Sequence, residues 1–212
     1  MLEQHPEGGS LYTCQGNRKY LTPLERRHFI EVAQDWPRPD VASLCLTIAN
    51  TGCRLSEALG LRGGSVDTNT HFLALRSLKR RNGAIVIREV PVPPSLIQRL
   101  DGSHDLTLRE APLWRFCRSQ AWRLIKVVLR EADVVPGPHC TPRGLRHGFG
   151  LHAVRSGVPL NLVQRWLGHA SMTTTAIYLQ AMGDEEREFA ARMWAERRDP
   201  NVCSSCHRNL MM

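Results

Sequence analysis

The stretch VASLCLTIANTGCRLSEALGL, residues 41–61, decides how this chain is read. Val41 to Ala49 is apolar nearly all round, the pattern of a helix buried on every side. Thr51-Gly52 ends it, as glycine commonly does at a helix C-terminus. A second short helix is expected over Arg54-Leu-Ser-Glu-Ala-Leu-Gly-Leu61. That junction sets Arg54 near a helix N-terminus, a place that favours anions. It also puts Glu57 within reach of an i,i+3 ion pair with Arg54.

Toward the N-terminus, order is expected to begin at Thr22-Pro23-Leu24-Glu25. Thr caps, Pro takes the first helical position, and Glu reaches back to complete a capping box. Phe29, Val32, Ala33 and Trp36 then share one helical face. Residues 1–19, with Gly8-Gly9-Ser10 and many polar groups, read as a flexible arm. Toward the C-terminus, Phe72 to Arg76 and Ala84 to Val90 are β-prone runs. The turn between them carries Asn82-Gly83, a strong hairpin signal. Pro91, Pro93 and Pro94 stop the second strand.

Further helices are expected from a Ser119 cap through Arg130, with Trp122, Leu124, Ile125, Val128 and Leu129 largely buried. Others follow over Arg143 to Arg155, Leu160 to Leu167 and Thr173 to Gln180, and a last amphipathic one over Asp184 to Arg197. The fold class is therefore mainly α with a small antiparallel β-sheet, an α+β arrangement. There are no internal repeats.

Composition narrows the partner. Lys and Arg total 28 against 20 Asp and Glu, a formal charge of +8. Such a surface favours polyanions by counterion release. Every long apolar stretch is broken well before bilayer length, and the first residues lack a charged and then apolar leader. A cytoplasmic protein with no membrane partner is expected. Seven cysteines are an odd count without paired spacing, and Cys45 and Cys53 sit among apolar residues as small hydrophobes. All are expected reduced. Cys203-Ser-Ser-Cys206-His207 matches a haem-attachment string, but no export signal or haem domain accompanies it. It is also half a zinc site without a second half, and reads as a polar tail with reactive thiols.

Three segments concentrate the unusual side chains. These are Thr51-Gly52-Cys53-Arg54-Leu55-Ser56-Glu57, then Pro142-Arg143-Gly144-Leu145-Arg146-His147, then Leu167-Gly168-His169 with Tyr178 downstream. Lys79 stands in the hairpin between the first two. In this order and spacing the chain resembles the catalytic domain of tyrosine recombinases, the phage integrase family. The resemblance runs over residues 20–182, leaving 183–198 as a C-terminal helix that could dock in trans and 199–212 as a tail.

The resemblance implies a site-specific recombinase or integrase acting on double-stranded DNA through a 3′-phosphotyrosyl intermediate. Tyr178 would be the nucleophile, and the covalent link conserves the energy of the broken bond without ATP. Arg54 and Arg146 would grip the non-bridging phosphate oxygens, for which a planar, permanently charged fork is suited. Lys79 would be the general acid for the leaving 5′-oxygen. His169 would hydrogen-bond the phosphate and Glu57 would orient its neighbours. His147 is expected to pack or to bond backbone. No cofactor or metal is implied, and a homotetramer on paired DNA sites is.

The chain departs from the family pattern at Arg143, where His or Lys is usual. Arginine donates hydrogen bonds but does not readily take a proton, so no general-base role carries over. Only about twenty residues precede the resemblance, as in short single-domain recombinases, so an accessory DNA-binding protein is a further expected partner. Two other readings stay open at this point: a DNA-binding regulator with an inactive site, and a type IB topoisomerase-like enzyme.

Overall fold

The structure is a computed structural model, and it describes residues 10–77 and 86–181. Helix α1 (Pro23–Gln34) has the expected capping box: Thr22 Oγ1 accepts from Glu25 N at 3.2 Å, and Glu25 Oε2 accepts from Thr22 N at 2.8 Å. The expected arm at 1–19 needs correction, because residues 10–19 are built into the fold. Tyr12 and Arg18 form an antiparallel bridge, Leu11 is buried, and Arg18 pairs with both oxygens of Glu25. That pairing helps hold the Glu25 carboxyl down near 2 against the upward push of burial. A charge-assisted fork on a capping residue ties the arm to the first turn of α1.

Helix α2 (Pro39–Thr51) is the hub, with every residue from Val41 to Ala49 buried, and it packs on α1 and four later helices. It ends at Gly52, whose φ of 60° is left-handed. A Cβ there would stand 2.5 Å from Phe149 and 2.8 Å from Leu167, so the position needs glycine on both counts. Helix α3 (Leu55–Ala58) follows.

Three antiparallel strands lie in the order β1 (Val66–Asp67), β2 (Phe72–Ser77), β3 (Val86–Pro91). Leu73 faces Val90 and Leu75 faces Arg88, so Arg88 points to the same buried side as these three apolar residues. The hairpin tip with Lys79 lies outside the described residues.

The prolines do more than stop a strand. Pro94 opens an unanticipated helix, α4 (Pro94–Ser103), which buries Leu96, Ile97 and Leu100. Helix α5 (Arg118–Glu131) starts one residue before Ser119, because Cys117 is the N-cap and its sulfur accepts from Gln120 N. Ala121, Ile125, Val128 and Leu129 face inward; Trp122, expected to be buried, is 41% exposed with Lys126 Nζ 5.4 Å from its ring centroid.

Helix α6 (Pro142–Arg155) is capped by Thr141 and is largely buried. Helix α7 (Leu160–Leu167) ends in a left-handed Gly168. The helix expected over Thr173 to Gln180 is shorter: α8 (Thr173–Ala176) tightens into a 3₁₀ turn, Ile177–Ala181. The expected helix over Asp184 to Arg197 and the Cys203–His207 string lie outside the described residues. Cys45 and Cys53 are buried free thiols.

Candidate active site

Tyr178 is the second residue of the 3₁₀ turn and is fully buried. Its ring lies flush against α6, where Gly150 leaves room; a Cβ at 150 would be 2.5 Å from the phenol Cζ. The hydroxyl lies 3.2 Å from His147 Nδ1, and the His169 ring stacks on the phenol at 6.3 Å and 18°. Burial pushes the phenol up to about 12, against the pull of Arg146, Arg143 and Arg54. The expectation that His147 only packs or bonds backbone is therefore replaced by a contact with the phenol oxygen.

Arg146 is buried one turn before Gly150 on α6. Its Nη1 donates to Gly52 O at 2.8 Å and its Nη2 to Leu167 O at 2.7 Å. These bonds join the Gly52 cap of α2 to the last residue of α7 and leave further N–H groups of the fork for another acceptor. Burial, with the charge of Arg54, lowers it to about 10, which leaves it a cation at neutral pH. His169 follows the Gly168 cap, and its Nδ1 lies 2.9 Å from Thr175 Oγ1. Burial and then the charges of Arg146 and Arg54 hold it down near 3, so it is neutral in this state. Burial, followed by Arg143, Arg146 and Lys19, does the same to His147.

Arg54 precedes α3 and is exposed. Its Nη1 donates to Glu57 Oε1 at 2.8 Å and its backbone N to Glu57 Oε2 at 2.9 Å, so the i,i+3 pair is present. Glu57 is buried, and it also meets Arg88: Nη2 to Oε2 at 2.7 Å and Nη1 to Oε1 at 3.2 Å. Burial alone would raise the Glu57 carboxyl; the bonds and charge of Arg88, then Arg54, take it below the ordinary carboxylate value. Removing one partner of such a buried pair costs about 3–5 kcal/mol, because it strands the other charge.

The structure thus brings Arg54, Arg146, His169 and Tyr178 into one electrostatic neighbourhood. Arg143 lies exposed on the first turn of α6, near enough for its charge to act on His147 and Tyr178. Lys79 is outside the described residues. Sequence reasoning passed over Arg88, although an arginine in phase with Val90 on the inward face of a strand was a usable signal. Among the described residues no group of three or more His, Cys, Asp or Glu side chains is placed to hold a metal. Nor is any described helix long and apolar enough to cross a membrane.

The chain has known counterparts in sequence and fold. The tyrosine recombinase XerD of Mycobacterium tuberculosis is 34% identical over 143 residues, covering 61% of this chain and 44% of that protein. XerA of Pyrococcus furiosus is 29% identical over 186 residues, covering 82% of this chain and 61% of that protein. The chain therefore spans about half the length of the curated relatives it matches. Among solved structures, a XerA recombinase superposes with a TM-score of 0.65 at 27% identity, over 85% of this chain and 65% of that one. The catalytic domain of a bacteriophage integrase shares the fold, with a TM-score of 0.59 at 19% identity over 82% of this chain and 93% of that one. Residues 19–184, which hold every element from α1 to the turn bearing Tyr178, match the Phage integrase family, and by that match the chain belongs to it.

Proposed function

We propose that this chain breaks and rejoins double-stranded DNA through Tyr178, as a site-specific recombinase. The observation that carries the reading is the setting of Tyr178. Its hydroxyl bonds His147, its ring stacks on His169, and the charges of Arg54, Arg143 and Arg146 act on it. Tyr178 Oη forms a bond to phosphorus, the bond to the 5′-oxygen breaks, and the phenol proton leaves toward His147. Lys79 supplies the proton to the 5′-oxygen. Arg54 and Arg146 take the developing charge on the non-bridging oxygens, the main electrostatic contribution to such a transition state. Rejoining runs the same steps backward, so no external energy source is needed.

Tyr178 is fully buried at rest, so attack requires the 3₁₀ turn to uncover it. Four copies on two DNA sites, an accessory DNA-binding protein and a cytoplasmic setting belong to the same proposal, and rest on the family resemblance.

The test mixes the protein with nicked duplexes from its own genetic neighbourhood, without metal or nucleotide. A protease-sensitive protein–DNA adduct is expected with the natural sequence and none with Tyr178→Phe. Binding with no adduct on any bound duplex would favour a non-cleaving regulator, a reading that Arg143 at the usual His or Lys position keeps in play.

A further inference from the structure

We propose that Arg88 is a positioning residue that locks Arg54 and the Gly168–His169 turn into one frame, so that both address the same phosphate. This rests on the strand-exchange reading given above. Arg88 stands on the inward side of β3, opposite Leu75 and beside Val90, where an apolar residue is the ordinary occupant. It is 6% exposed and so has no direct access to DNA. A buried guanidinium is tolerated only when its donors are used. Here Nε donates to Trp166 O at 2.7 Å, while Nη1 and Nη2 take both oxygens of Glu57.

The partners belong to separate parts of the site. Glu57 shares each of its oxygens with Arg54, through the Arg54 side chain at Oε1 and the Arg54 backbone N at Oε2. Trp166 O is the carbonyl just before Leu167 O, the acceptor of Arg146 Nη2. Two arginines thus hold consecutive carbonyls at the end of α7. Arg88 also lies flat on the next residue: a Cβ at Gly168 would be 3.0 Å from its Cζ. A lysine has one nitrogen and cannot span a carboxylate and a carbonyl on opposite sides of a planar fork. Arg88 acts through others and touches no reacting atom.

The test compares the natural protein with Arg88→Lys and Arg88→Met. It measures single-turnover adduct formation on a nicked duplex at saturating protein, and binding of the intact duplex by fluorescence anisotropy. For Arg88→Lys we expect the adduct rate to fall about tenfold to a hundredfold, the scale of a displacement near 1 Å. Duplex affinity should stay within about threefold, since the lost term is made only in the transition state. In a Glu57→Gln background the same change should add less than about threefold, because neighbours in one network are not additive. A folded Arg88→Lys with the natural rate, a loss confined to affinity, or losses that multiply fully with Glu57→Gln would overturn the proposal. If Arg88→Met does not fold, Arg88→Lys carries the comparison.

A natural protein that binds duplexes but never forms an adduct would defeat the strand-exchange reading instead. Arg88 is then judged without DNA, by rotation of the Arg54 guanidinium in arginine-labelled protein followed by carbon-detected NMR. Rotation that is hindered in the natural protein and freed in Arg88→Lys supports the frame; equal rotation in both overturns it.

Discussion

Tyr178→Phe removes one oxygen and with it the hydrogen bond to His147. A typical hydrogen bond contributes about 1 kcal/mol net, so the variant should stay folded. Its missing adduct can then be read as lost chemistry; a collapse of the melting transition would show that the pair is mainly structural. Arg143 makes a second prediction. It is exposed, and its charge is what reaches His147 and Tyr178. Arg143→Lys keeps that charge and a donor, so substantial adduct formation is expected. A loss as deep as that of Tyr178→Phe would show that the planar fork itself is required. At this scale the sequence was legible where spacing along the chain is what matters: Arg54, Arg146, His169 and Tyr178 sit in short fixed strings. Arg88 and His147 were not, because their significance lies in contacts 31 residues away, with Glu57 and Tyr178 respectively.

Among the elements, α6 is read best through Gly150, the residue against which the phenol lies. Gly150→Ala would raise helix propensity, yet drive a methyl to 2.5 Å from Tyr178 Cζ. Overpacking costs about 1–3 kcal/mol, more than the helix gains. A lower denaturation midpoint is expected, with the phenol titrating below about 12 as the ring is pushed toward solvent. A variant as stable as the natural protein would show that ring and helix can separate cheaply. Local chemistry made several elements legible: the Thr22 and Glu25 box, the Gly52 stop and the hairpin strands all follow from nearest neighbours. Helix α4 escaped because three prolines read as a stop, whereas Pro94 also fits the first turn of a helix. Trp122 was misplaced because α5 has apolar residues on more than one face, and only packing chooses which is covered. The two-residue β1 is defined by its partner β2 and leaves no periodicity to detect.

The whole molecule should be sensitive to acid well above the carboxylate range. His147 and His169 are held near 3, chiefly by burial and then by neighbouring cations. An unfolded chain protonates histidine near 6.5. Between those values unfolding takes up protons that the folded state refuses, so stability falls as pH falls. The slope is about 1.4 kcal/mol per pH unit for each histidine, and this contribution is flat above about 7. Urea denaturation at pH 7.5 and 5.5 checks it: the midpoint should be lower at 5.5, and His147→Phe should lessen the difference. Equal midpoints would mean that the rings are charged or open to water. Below the ordinary carboxylate range a second loss is expected, as Glu57 and Glu25, both held down by arginines, finally protonate.

Arg146 carries one more consequence. Its two carbonyl partners, Gly52 O and Leu167 O, close the C-termini of α2 and α7. Each helix end bears roughly half a negative charge from its aligned peptide dipoles, so two together offset about one cation. Among the described residues no carboxylate pairs with Arg146. The guanidinium is thus kept charged in the interior by immobile backbone, and an arriving anion has no counter-ion to evict. Arg54, by contrast, is already committed to Glu57 and must share itself. The two arginines would meet a phosphate on different terms, one as a held and waiting cation, the other as a partner in an exchange.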